Sequence, residues 1–130
     1  MRARPLSPHV SIYRLTRYTL ITSFANRITG GVLSVGLLAL IYWLTCLARG
    51  ARAYARAQEL LGSDLARLVY AAVIAAFAYH LVAGVRHLIW DTGRGFGPSE
   101  REWLVAANLI GSIAITVLLW IFVLLTMGVS

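Results

Sequence analysis

Three apolar stretches, at about 23–48, 65–90 and 103–128, set the terms for everything else in this sequence. A hydrocarbon core takes roughly 20 residues of helix to cross, and each stretch is long enough. A segment inside lipid must satisfy its own backbone hydrogen bonds, so these stretches are expected to be helices. The composition agrees: 59% of the chain is hydrophobic and 13% is charged. An ordinary soluble domain has about half and about a quarter. The expectation is an all-α membrane protein. Three transmembrane helices follow a polar N-terminal segment, 1–22, within one domain covering 1–130. No internal repeat or low-complexity segment interrupts this plan.

The connections are readable as well. Residues 48–64 are polar, with Arg49, Arg52, Arg56 and Glu59 at helical spacing, which suits a short surface helix. Gly62-Ser63-Asp64 reads as a turn and N-cap into the second span. The stretch 92–101 holds Gly93, Gly95, Gly97 and Pro98, a loop signature. Ser99 with Glu102 three residues on resembles a capping box for the third helix.

The net charge is +7, and every basic residue is arginine. The arginines are spread through loops and span ends, which suits topology and lipid headgroups rather than nucleic acid. Arg2, Arg4, Arg14, Arg17, Arg94 and Arg101 fall on one side of the membrane, with Arg86 near its boundary. Arg49, Arg52, Arg56 and Arg67 fall on the other. This bias places the N-terminus in the cytoplasm. Residues 1–18 carry Pro5, Pro8 and four arginines but no apolar core, so they do not form a cleavable secretory signal. Trp43, Trp90 and Trp103 lie near span ends, where an aromatic belt belongs. The single cysteine, Cys46, cannot hold an iron–sulfur cluster or close an internal disulfide, and reads as a small buried hydrophobe.

The second stretch carries the first candidate site. His80 lies deep in an apolar run, and helical spacing puts Gly84 and His87 on its face. An ionisable group inside a span is expensive and is read as functional by default. A neighbouring glycine leaves room for something flat and large against the backbone. A haem meets both conditions. His80 and His87 are about 10 Å apart along the helix, too far to ligate one iron from the same side. The roles therefore divide: His80 to iron through a neutral imidazole, Arg86 and His87 to the propionates. His9 lies in the polar N-terminal segment, so a second axial histidine must come from another membrane subunit. The competing reading is a histidine that only hydrogen-bonds a neighbouring helix.

The second candidate site is the entry to the first span, Ser23-Phe24-Ala25-Asn26-Arg27-Ile28-Thr29-Gly30-Gly31. Ser23 and Arg27 share a helical face, and Asn26 lies beside Arg27. These donors suit a quinone carbonyl, whose charge grows on reduction, or a haem propionate. The alternative is an interfacial arginine that snorkels to the headgroups. Gly30, Gly31 and Ser34 let another helix come close.

Three motifs in register resemble the cytochrome b membrane-anchor subunits of succinate dehydrogenase (respiratory complex II). Arg4-Pro5-Leu6-Ser7-Pro8-His9-Val10-Ser11-Ile12-Tyr13 is similar to that family's opening "RPLSPH…IY". Residues 23–30 are similar to its "S-x-x-H-R-x-[ST]-G", and 80–91 to its "H-x-x-x-G-x-R-H-x-x-x-D". The resemblance implies that His80 is an axial ligand of haem b, with Gly84, Arg86 and His87 in the haem environment. It implies that Ser23, Arg27 and the flanking Asn26 belong to a ubiquinone-reducing site. It implies a flavoprotein subunit, an iron–sulfur subunit and a smaller membrane anchor that supplies the other haem ligand. Together they would form a heteromeric helix bundle, and such complexes can gather as a trimer of heterotetramers. The implied location is the bacterial inner membrane, with the mitochondrial inner membrane as the alternative. One departure stands out: the family often has histidine where this chain has Asn26, which cannot titrate near neutral pH. Asp91, at the end of the second span, is a substitute candidate for proton entry. Two other readings remain at this point: a quinol:fumarate reductase anchor using menaquinol, and a haem-free anchor.

Overall fold

The computed structural model describes residues 17–126. The opening motif at 4–13, His9 with it, and positions 127–128 of the third stretch lie outside the described residues. Four helices are present: α1 (Arg17–Ala48), α2 (Ala51–Leu61), α3 (Asp64–Asp91) and α4 (Pro98–Thr126). There are no strands among the described residues. Three helices are long and apolar enough to span a membrane.

The first long helix opens earlier than expected. Positions 17–22 of the segment read as polar N-terminal chain already belong to α1. Leu20 and Ile21 extend the apolar run backwards. The surface helix is α2, as its spacing implied. It is tied to the end of α1 by Trp43, whose ring meets Tyr54 edge-on at 6.2 Å between centroids.

The caps divide between one success and one correction. Ser63 caps α3, its hydroxyl accepting from the Ala66 amide at 3.3 Å. At α4 the expected Ser99–Glu102 box does not form. The helix starts at Pro98, and the Glu100 carboxylate accepts from the Gly97 N–H at 3.2 Å. Proline suits the first helical position because its missing N–H is one the helix could not use there. That moves the cap to Gly97 and the reciprocal glutamate to position 100.

The central helix is α3, which packs on both α1 and α4, while α1 and α4 touch little. The seam is built from small residues: Ala76, Ala78 and Ala83 are buried, with Ser112 on α4. Small side chains let backbones approach where the surrounding lipid is as apolar as leucine. Cys46 is free and buried. Long apolar side chains such as Leu38 (66% exposed), Ile110 (69%) and Leu125 (79%) instead point away from the bundle. In water this would be a large uncovered apolar surface; lipid or further helices must cover it.

Candidate functional site

The contact between α1 and α3 brings the two candidate regions together. The imidazole Nδ1 of His80 lies 3.2 Å from Thr29 Oγ1. Thr29 is one turn beyond Asn26, and its hydroxyl also bonds the carbonyl oxygens of Ala25 (2.9 Å) and Asn26 (3.0 Å). Next to it is Gly30. A Cβ added there would stand 3.4 Å from His80 Cε1, in van der Waals contact, so the ring rests against this face of α1. The polar entry of the first span and the histidine of the second thus form one place.

His80 is half-buried, and its Nε2 makes no hydrogen bond among the described residues. Beside it, a Cβ at Gly84 would meet nothing within 4 Å, so this flank of α3 is open. His87 is exposed, and its ring meets Trp90 edge-on at 5.3 Å. A free imidazole nitrogen beside an uncovered glycine fits an axial ligand with a planar macrocycle against the helix.

Arg86 and His87 are adjacent in sequence but face different ways. Arg86 is 3% exposed, and its guanidinium lies 4.9 Å from the centroid of the Trp90 ring. Its Nε and Nη1 are buried without a hydrogen-bond partner. An unpaired cation at this depth is costly, and the Trp90 face offsets only part of that. Trp90 itself is held by an N–H bond to the Gly95 carbonyl at 3.2 Å and by Phe96 stacked at 6.3 Å.

At the other edge of the site, Ser23 and Arg27 are both exposed on this chain. Asn26 is half-buried, and its Oδ1 is buried without a partner. A charged group well inside a helix of spanning length costs about 2.5–3.5 kcal/mol unless it is wetted or paired. The exposed Ser23–Arg27 face therefore suits another subunit or a polar ligand better than bare lipid. Asp91 is exposed at the last residue of α3.

Several polar residues at this seam carried no earlier reading. The Tyr79 hydroxyl donates to the Thr22 carbonyl at 3.1 Å and links α3 to α1. Asn108, on α4, is 1% exposed and lies beside that hydroxyl, yet neither end of its amide makes a well-formed hydrogen bond. Asn108 was detectable as an amide inside an apolar run. The pairing of Thr29 with His80 had no such signal, because it depends on how two helices are rotated against each other.

Fold and site together define a three-span helical membrane protein in which a polar helix entry meets a histidine of the central span. The family model described as succinate dehydrogenase/fumarate reductase transmembrane subunit matches residues 1–123, and this chain belongs to that family. It is 36% identical to the succinate dehydrogenase cytochrome b556 subunit of Paracoccus denitrificans over 115 residues, 88% of each chain. It is 35% identical to the cytochrome b556 subunit of Rickettsia conorii over 121 residues, 91% of each. It is 34% identical to the succinate dehydrogenase cytochrome b560 subunit of Reclinomonas americana over 125 residues, 91% of this chain and 85% of that one.

Proposed function

We propose that this chain is the haem-bearing, quinone-facing membrane anchor of a succinate:quinone oxidoreductase. The observation that carries the reading is the 3.2 Å approach of His80 Nδ1 to Thr29 Oγ1, which sets the α3 histidine against the α1 polar entry. Membership of the family and relatives named as cytochrome b subunits support it. Those relatives carry succinate dehydrogenase names, which favours succinate oxidation over the fumarate reductase alternative with menaquinol.

In this reading His80 would hold haem b through Nε2, beside the open flank at Gly84. His87 and Arg86 serve the propionates: His87 from the open face, Arg86 as a buried cation with two unused N–H donors. When bound, the haem supplies a one-electron redox centre beside the quinone site. The second axial histidine comes from a smaller anchor subunit, since no other described residue of this chain is a histidine except His87.

Ser23 and Arg27 hold and polarise a ubiquinone carbonyl. The guanidinium stabilises negative charge as the oxygen is reduced, and the hydroxyl donates a further hydrogen bond. Asn26 orients the quinone but does not carry a proton; Asp91, at the aqueous end of α3, is the entry point for protons taken up on reduction. Electrons reach the quinone from succinate through a flavoprotein and an iron–sulfur subunit that dock on the cytoplasmic side of the bacterial inner membrane. The chain does not oxidise succinate by itself.

The test of the quinone assignment is Arg27→Ala in the intact complex. Succinate-dependent ubiquinone reduction should fall at least tenfold, about 1.4 kcal/mol or more of lost stabilisation. Reduction of an artificial dye by the soluble subunits should stay near wild type. Equal loss of both activities would mean that Arg27 supports assembly, not quinone binding.

A further inference from the structure

We propose that Thr29 is a positioning residue for His80: it holds the imidazole in the tautomer with its proton on Nδ1 and so tunes Nε2 as an iron ligand. This rests on the haem reading above and deepens it.

Proton counting at Thr29 decides which way the contact runs. A threonine hydroxyl has one proton and two acceptor lone pairs. Thr29 Oγ1 lies 2.9 Å from the Ala25 carbonyl oxygen and 3.0 Å from that of Asn26. Carbonyl oxygens can only accept, so we assign the hydroxyl proton to the α1 backbone. Toward His80, at 3.2 Å, Oγ1 is left as an acceptor. In this assignment the imidazole donates from Nδ1. A neutral imidazole with its proton on Nδ1 has its lone pair on Nε2, the nitrogen that is free here. Gly30 completes the seat: a Cβ there would already touch the ring that Thr29 aligns, so a branched side chain would press on it.

The second nitrogen of a ligating histidine sets both ring orientation and ligand basicity. An Nδ1–H donating to an oxygen pushes electron density toward Nε2. That favours the ferric over the ferrous state and holds the midpoint potential down. Removing the oxygen should raise it.

The experiment is a potentiometric titration of the haem b absorption in the purified complex. Thr29→Val keeps the shape and removes the hydroxyl, and the midpoint potential should shift upward. Thr29→Ser keeps the hydroxyl, and its potential should match wild type. Thr29→Ala should shift in the same direction as Thr29→Val, and serves if that variant does not assemble. An unchanged or lowered potential without the hydroxyl, or a serine variant that shifts like valine, would overturn the role of Thr29. His80→Ala separates this from the parent reading. If that variant keeps an unaltered low-spin haem spectrum, the ligand assignment itself fails, whatever Thr29 does.

Discussion

His80 owes its position to two neighbours on α1 that carry no charge and draw no attention in a list of residues. Thr29 offers an oxygen, and Gly30 offers a bare stretch of backbone. Gly31, one residue on, faces nothing within 4 Å. The two glycines look equivalent in sequence and differ only in which way α1 is turned. Gly30→Val should force His80 off its seat, at about 1–3 kcal/mol, the usual range for overpacking. Haem content per purified complex should fall. Gly31→Ala should leave it unchanged, and equal haem content in the two variants would show that the seat is not used. Arg86 makes a related point. The pairing of Arg86 with His87 in sequence suggested a shared environment, but residues adjacent on a helix point about 100° apart. One is buried against Trp90 and the other is exposed.

At the scale of helices and loops, length and end signals were legible and rotation was not. Three runs of the right length gave three spanning helices, and Ser63 gave its cap. The helix α1 starts at Arg17, ahead of the apolar run, because a polar residue such as arginine forms helix well. At α4 the Ser-x-x-Glu pattern at 99–102 loses to Pro98, which takes the first helical position and leaves Glu100 to accept from the Gly97 N–H. Rotation stayed hidden for a physical reason. A helix that is apolar on every side has no amphipathic stripe to tell which face meets its neighbour. The 92–101 loop is better specified. Gly95 has φ +83, and a Cβ there would stand 2.6 Å from Leu104 Cδ1 and 3.2 Å from Trp90 Cδ1. Gly95→Ala should destabilise the α3–α4 hairpin by about 1–2 kcal/mol from the left-handed backbone alone. Displacement of Leu104 adds to that. Thermal unfolding of the purified complex should show a lowered midpoint, and an unchanged one would contradict the crowding around Trp90.

Among the described residues the three spanning helices form a plank rather than a closed bundle. With α3 in the middle and most long apolar side chains turned outward, the described residues leave broad faces for lipid and for other subunits. The exposed Ser23–Arg27 face and the open flank at Gly84 lie on such surfaces. In the proposed assignment the remaining groups belong to other chains, which is why this sequence carries only half of the site. Orientation is testable at this scale. With the N-terminus cytoplasmic, α2 lies outside and the α3–α4 loop inside. Arg56→Cys should therefore react with a membrane-impermeant maleimide on spheroplasts, and Arg94→Cys should react only after permeabilisation. Native Cys46 is buried and adds little background. The reverse pattern would invert the topology.

The account turns on one side chain holding one iron. The most direct measurement is the visible and electron paramagnetic resonance spectrum of the purified complex with His80→Ala, beside wild type at equal subunit content. The account predicts that the low-spin b-type signature disappears, either because haem is lost or because the iron is left five-coordinate and high-spin. A low-spin, six-coordinate spectrum indistinguishable from wild type would contradict it.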